Sequence, residues 1–171
     1  MAIKLRYRSP SGDTRPWTFR QILQGFPLDM PTHPMFVHFP IAFYNGALAF
    51  DILSRVGHFP WAPATATYLI VAALAGFAVA ATTGIAERAS MPRKLRVRRL
   101  ATRHMLLQFI AAAVFAVNLG VRWSDRHAAH SSIGWIVLDV IGIAVMMAAS
   151  DIGGQMVFKI GYRGLGGGPE H

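Results

Sequence analysis

Four long apolar runs constrain this chain more than any other feature of its sequence. They span residues 37–53, 64–86, 104–123 and 133–150. Each is close to the roughly 20 helical residues that cross a bilayer, and small residues crowd the second and third, which favours close helix contact in lipid. With 53% hydrophobic and 15% charged residues, the chain is too apolar for an ordinary soluble domain. The sequence predicts an all-α protein, a four-helix transmembrane bundle.

The distribution of positive charge predicts how the bundle is oriented. Of the 17 lysines and arginines, all but Arg55, Arg122 and Arg126 precede the first run, lie between the second and third, or follow the fourth. Retained basic loops mark the cytoplasmic side. We therefore expect a multi-pass protein of a bacterial inner membrane with both termini in the cytoplasm. The basic loop before the third run suits anionic lipids or an acidic protein partner, and it lacks the interleaved aromatic residues of a nucleic-acid surface.

The chain divides into three predicted parts. Residues 1–31 form a cytoplasmic segment, residues 32–157 the transmembrane domain, and residues 158–171 a glycine-rich cytoplasmic tail. In the first part, Phe19, Ile22, Leu23 and Phe26 recur at helical spacing, so residues 16–24 are predicted to form a short amphipathic helix. Such a helix can lie in the membrane interface or pack against a partner subunit.

Several kinds of chemistry are excluded by the composition. The chain contains no cysteine, which rules out disulfides, thiolate metal sites and covalently attached haem. It also lacks a phosphate-binding glycine loop, a GxSxG elbow and an HExxH helix. The sequence therefore favours a protein with no catalytic activity of its own.

Two histidines at the starts of apolar runs are the main candidate ligands. His38 opens the first run and His104 opens the third, so both are predicted at a similar depth on the cytoplasmic side. Neutral imidazoles on facing helices can ligate the iron of b-type haem, and Arg103 is a candidate partner for a haem propionate. His33 lies before Pro34 and can bind a metal with His38 or hydrogen-bond a loop. Alternatively, these rings only satisfy backbone carbonyls at helix ends.

Other polar residues have less specific interpretations. His58, His127 and His130 form a looser group on the opposite side, which indicates a surface loop or, alternatively, a transition-metal site. Polar side chains inside the spans are few: Asn45, Asp51, Gln108, Asn118 and Asp139. Because such groups usually pair with another helix, we expect Asp139 to hydrogen-bond a partner such as Asn118.

Four sequence stretches together resemble a known family. They are HPMFVHFPIAF, TTGIAE, RHMLLQ and DIGGQMVFKIGYRG. Over residues 27–164 the chain is similar to the bacterial membrane-protein family catalogued as domain-of-unknown-function 2231. Its HPxxVHFP signature corresponds to His33, Pro34, His38, Phe39 and Pro40, and its later histidine and paired glycines match His104, Gly153 and Gly154. A histidine common near the family's end is replaced here by Ile160, so no ligand role transfers to that position.

The resemblance implies a four-helix membrane protein with a redox association, since some members are joined to electron-transfer domains. Two functions follow. One is a small protein that binds haem b through His38 and His104 and serves electron transfer. The other is a cofactor-free accessory or structural subunit of a larger respiratory or photosynthetic complex. Either way, the expected partners are the lipid bilayer and other membrane subunits, without nucleic acid, and a transporter or enzyme ranks last.

Overall fold

A computed structural model describes residues 6–8, 12–28, 30–92 and 96–162. Within those residues, four candidate spans are long and apolar enough to cross a membrane: Thr32–Val56, Ala62–Ser90, Arg96–Arg122 and Ile133–Lys159. The predicted four-helix fold is confirmed, and the chain is a multi-pass membrane protein. An even number of spans puts the segments that flank the bundle on one side, and which side is cytoplasmic stays a prediction. From residue 163 onward, the predicted tail lies outside the described residues, as do residues 93–95 of the basic loop.

The segment before the bundle contains a hairpin that the all-α prediction did not include. Strand β1 (Arg6–Arg8) pairs antiparallel with β2 (Thr14–Pro16), with Tyr7 opposite Arg15. Pro16 therefore lies in a strand and not in the first turn of the predicted helix. The three-part division at residues 31 and 157 stays a prediction.

A short helix, α1 (Phe19–Leu23), follows the hairpin. It begins at Thr18 because the side chains of Thr18 and Gln21 cap each other's backbone N–H groups, the arrangement known as a capping box. It ends before Gly25, whose φ of +79° is one that glycine adopts without strain. The predicted helix over residues 16–24 is thus shortened at its start.

α1 is attached to the bundle by one buried side chain. The amide nitrogen of Gln24 donates to Ser90 Oγ at 2.9 Å and to the Ala86 carbonyl at 3.3 Å. Phe19 and Ile22, from the predicted apolar stripe, stay 76% and 51% exposed. Docking in a membrane interface accounts for that exposure and stays a prediction.

The first span is interrupted near its start. α2 (Thr32–Phe36) and α3 (His38–Val56) are separated at Val37. Pro40 has no N–H to donate to the carbonyl of Phe36, and its ring crowds that carbonyl, so the hydrogen-bond ladder breaks there. Hydrogen bonds from Val37 N–H to His33 and from Ile41 N–H to Val37 continue across the interruption, so α2 and α3 together form the first span.

The other spans are α4 (Ala62–Ser90), α5 (Arg96–Arg122) and α6 (Ile133–Gly154), which a π-helical turn extends through Gln155–Lys159. α3 packs along α4, and α5 along α6, so the bundle consists of two helical hairpins. The hairpins meet where Tyr44 stacks on Phe115 with ring centroids 3.6 Å apart. Gly142 permits this approach, because a Cβ there would lie 2.6 Å from the Phe115 ring.

Beyond that stack, the hairpins are joined by a buried ion pair. Arg122 donates to Asp51 through two nitrogens, at 2.9 and 2.5 Å, and both side chains are 0% exposed. Ser131 Oγ donates to the same carboxylate at 2.6 Å. We call this end of the bundle, where α3 and α5 end and α4 and α6 begin, the ion-pair end.

A second buried polar pair lies beside the first. Asn118 Nδ2 donates to Asp139 Oδ1 at 2.7 Å and to the Trp135 carbonyl at 3.1 Å. The guanidinium of Arg122 lies 4.8 Å from the centre of the Trp135 ring, within the range of a cation–π contact. The expected pairing of Asp139 with Asn118 is confirmed.

Candidate functional site: a histidine-lined cavity

At the opposite end, where α3 and α5 begin, the helices enclose a cavity of about 650 Å³ with mostly apolar walls, within the range of sites that hold small molecules and cofactors. Its walls come from α2 to α6 and include His33, Tyr44, Arg88 and His104. We call it the histidine cavity, and this end of the bundle the histidine end.

His33 reaches the cavity from α2 and is held against α4. Its Nδ1 donates to the carbonyl of Ala80 at 2.9 Å and lies 3.3 Å from Thr83 Oγ1. The ring lies over Gly84, where a Cβ would come within 2.8 Å of His33 Cε1. A glycine at position 84 therefore leaves the space that this ring takes.

His104 is held in the same way on the other hairpin. Its Nδ1 donates to the carbonyl of Ala149, on α6, at 2.7 Å. A Cβ on Gly153 would lie 3.2 Å from His104 Cε1. Each histidine is thus anchored through Nδ1 to a backbone carbonyl of a neighbouring helix.

The two rings are neighbours across the cavity. Their centroids are 6.3 Å apart and their planes lie at 88° to each other. Because each Nδ1 carries the donated proton, each Nε2 is the unprotonated nitrogen with a lone pair. Within the described part of the chain, neither Nε2 receives a hydrogen bond. The arrangement supplies two nitrogen ligands on separate hairpins.

The structure brings His104 together with His33 and not with His38. His38 lines the cavity, but it is exposed, and its Nδ1 contacts the nearby Met35 carbonyl at 3.4 Å. Counted from the starts of their spans at Thr32 and Arg96, His38 is six residues inside and His104 is eight residues inside. The surroundings of the two rings, and not their positions along the spans, separate them.

The structure also places a different arginine in the cavity wall from the one that the sequence indicates as a partner for a haem propionate. Arg103 is exposed and lies outside the cavity wall, while Arg88 is half-buried and forms part of that wall. Arg88 Nε donates to Thr102 Oγ1 at 2.9 Å. The sequence did not single out Arg88, although it lies four residues, one helical turn, after Gly84 on α4.

Tyr44 is a further cavity residue that the sequence did not indicate. It is 2% exposed, and its hydroxyl has no hydrogen-bond partner among the described residues. A buried hydroxyl without a partner is costly. Its position in the cavity wall makes a ligand the natural partner for it.

The three histidines near the ion-pair end do not form a comparable site. His130 donates from Nδ1 to the Ser54 carbonyl at 2.5 Å, while His58 and His127 are exposed. In the described ranges, no group of three or more histidine, aspartate or glutamate side chains could hold a metal ion. His33 and His104 are a pair of histidines and therefore fall below that number.

Comparison with known proteins gives one result. A search of curated proteins and a search of solved structures each returned no match. The model of one family, described as predicted membrane protein DUF2231, matches residues 29–164. This range contains all four spans and both anchored histidines. Since the match covers most of the chain, the protein belongs to the DUF2231 family of membrane proteins.

Proposed function

We propose that the protein binds b-type haem between His33 and His104 and carries electrons at the histidine end of the membrane. The observation that carries this proposal is the pair of perpendicular imidazoles, 6.3 Å apart, each anchored through Nδ1. The ligand pair differs from the His38 and His104 pair expected from the sequence. Bound between two histidines, haem supplies a one-electron redox couple.

The placement of the rings supports this ligand set. Their centroids are 6.3 Å apart, and the two histidines come from separate hairpins. His33 and His104 would each hold the iron through Nε2, which receives no hydrogen bond from the described residues. The cavity that both residues line would take the porphyrin.

The hydrogen bonds to Ala80 and Ala149 suit a ligating role. Histidines that bind metals commonly donate their other ring nitrogen to a carbonyl or carboxylate, which sets the tautomer and orients the ring. Both acceptors here belong to long helices, so the rings have rigid supports. The glycines at positions 84 and 153 leave room for each ring beside its helix.

The cavity wall supports the same conclusion. Apolar side chains, including Phe77, Ala112 and Met146, line it and would exclude water from a bound porphyrin. The chain's own residues therefore place two imidazoles beside an apolar volume of suitable size.

The proposal is tested by absorption spectra of the purified full-length protein in detergent. We expect a Soret band of a bis-histidine haem, which shifts on reduction. His33→Ala and His104→Ala should each remove or convert that band. His38→Ala is the matched control and should retain it, because His38 lies outside the facing pair.

Two results would contradict the proposal. Loss of the band in His38→Ala, with retention in His33→Ala, would restore the pair expected from the sequence. A wild-type protein without haem, purified from cells that supply it, would remove haem altogether. The accessory-subunit function would then replace it, with the histidines as structural ties between helices.

A further inference from the structure

Near the end of α4, the side that we call the mouth, the wall of the histidine cavity holds one basic side chain, Arg88, and one acidic side chain, Glu87, which accepts a hydrogen bond from Tyr162. Among the described residues, Arg88 is the one arginine or lysine in the cavity wall. Ala80, Gly84 and Arg88 succeed one another at four-residue intervals, so they share a face of α4. Since His33 is anchored at Ala80 and lies over Gly84, Arg88 lies about 6 Å nearer the mouth than Gly84.

The guanidinium is held at one nitrogen only. Nε of Arg88 donates to Thr102 Oγ1 at 2.9 Å, and that hydroxyl donates in turn to the carbonyl of Arg98 at 2.8 Å. Thr102 therefore orients Arg88 across the gap between α4 and α5. Within the described part of the protein, the terminal nitrogens of Arg88 make no hydrogen bond or ion pair. Four N–H donors thus remain for a ligand.

We infer that Arg88 binds the carboxylate groups of the cavity's ligand, so that the ligand lies with its acidic edge at the mouth. This inference rests on the proposed function. A half-buried guanidinium favours an anionic partner, and its planar fork matches a carboxylate. A planar ligand centred between His33 and His104 would present its propionates one helical turn towards the mouth, at the level of Arg88.

Where the structure describes them, the other basic residues near Arg88 do not have this position. Arg98 donates to the carbonyl of Met91 at 2.7 Å and lies outside the cavity wall. Arg99 and Arg103 are exposed on α5. Carboxylate binding at the mouth should therefore depend on Arg88 and not on the total positive charge of the segment.

The test compares protohaem with its dimethyl ester, which lacks the carboxylate charges. Full-length protein produced without haem is titrated with each compound, and the Soret band reports binding. Wild type should bind protohaem more tightly than the ester. In Arg88→Gln the ratio of the two affinities, protohaem over ester, should fall about tenfold, the usual size for a hydrogen bond to a charged group. In Arg88→Lys the ratio should fall less.

Arg99→Gln is the matched control, since it removes one exposed charge from the same region and should behave as wild type. Unchanged discrimination in Arg88→Gln would overturn the inference, as would an equal loss in Arg99→Gln. Loss in Arg103→Gln alone would assign the carboxylates to the residue expected from the sequence. If wild type binds the ester and protohaem equally, the inference about Arg88 is wrong while the haem proposal stands. If wild type binds neither compound, the inference and the haem proposal are both wrong.

Discussion

The ion-pair end and the histidine end use the same four helices in opposite ways. At the ion-pair end, Asp51, Arg122 and Ser131 satisfy one another across the gap between the hairpins. At the histidine end, His33 and His104 are each hydrogen-bonded through Nδ1 to a helix carbonyl, and neither Nε2 receives a hydrogen bond from the described residues. Where polar side chains pair across the interface between the hairpins, the hairpins are in contact. Where the side chains are hydrogen-bonded on the side away from that interface, their lone pairs face a cavity.

This difference suggests a division of labour. The ion pair and the Tyr44 and Phe115 stack hold the hairpins together at one end and in the middle. The other end can then stay open without the hairpins separating. In this view the separation of His33 and His104 depends on contacts made at the far end of the bundle.

The largest expected effect comes from breaking the ion pair. Arg122→Ala leaves the carboxylate of Asp51 buried without its cation, which should destabilise the protein by roughly 3–5 kcal/mol. Thermal or denaturant unfolding in detergent measures this loss. Arg99→Ala, on an exposed site of the same helix, should change stability by less than about 0.5 kcal/mol.

A double variant sharpens this prediction. Replacing Asp51 and Arg122 together by leucine removes both charges, so it should recover much of the stability that Arg122→Ala loses. Equal stability of Arg122→Ala and wild type would contradict the idea that this pair joins the hairpins.

The sequence predicts the number of spans more accurately than the residues at which each helix begins and ends. Hydropathy locates the four spans, because lipid requires apolar helices of a certain length. It misplaces the start of α5, since a helix that leaves the hydrocarbon region continues through basic residues such as Arg96 and Arg99. Arg122 lies at the end of the third apolar run, on the side opposite the basic loop, and nothing in the sequence pattern predicts its pairing with Asp51.

The candidate site was predicted in part. His104 and His33 were both candidates, and the pairing of Asn118 with Asp139 was expected. The prediction of His38 rests on depth, which does not distinguish it from His33, because both belong to the first span, residues 32–56. Five residues apart on a helix, the two side chains point about 140° away from each other. His33 is the one beside His104, held by its hydrogen bond to Ala80 of α4, and hydropathy carries no information on that packing.

A medium effect should follow from filling the space beside His33. Gly84→Ala puts a Cβ within 2.8 Å of the ring, so the ring or the helix must shift, which should cost roughly 1–3 kcal/mol. Haem content and the position of the Soret band would report the displaced ligand.

Gly120→Ala is the control for this change. It lies on a long helix with nothing within 4 Å of the added methyl group, so the spectrum should stay at the wild-type position and stability should rise by no more than about 1 kcal/mol, the helix preference of alanine over glycine. Unaltered haem content and spectrum in Gly84→Ala would show that haem binding tolerates a shift of the His33 ring.

The smallest expected effect is a gain in stability and not a loss. Tyr44→Phe removes a buried hydroxyl that lacks a hydrogen-bond partner among the described residues and keeps the ring that stacks on Phe115. Removal of an unsatisfied polar group of this kind should stabilise the haem-free protein by about 1 kcal/mol. Unfolding of the haem-free and haem-loaded forms measures the change in each. A loss of stability confined to the loaded form would mean that the hydroxyl bonds to the ligand, and a loss in both would mean that it has a partner within the fold, which would weaken the contrast between the two ends.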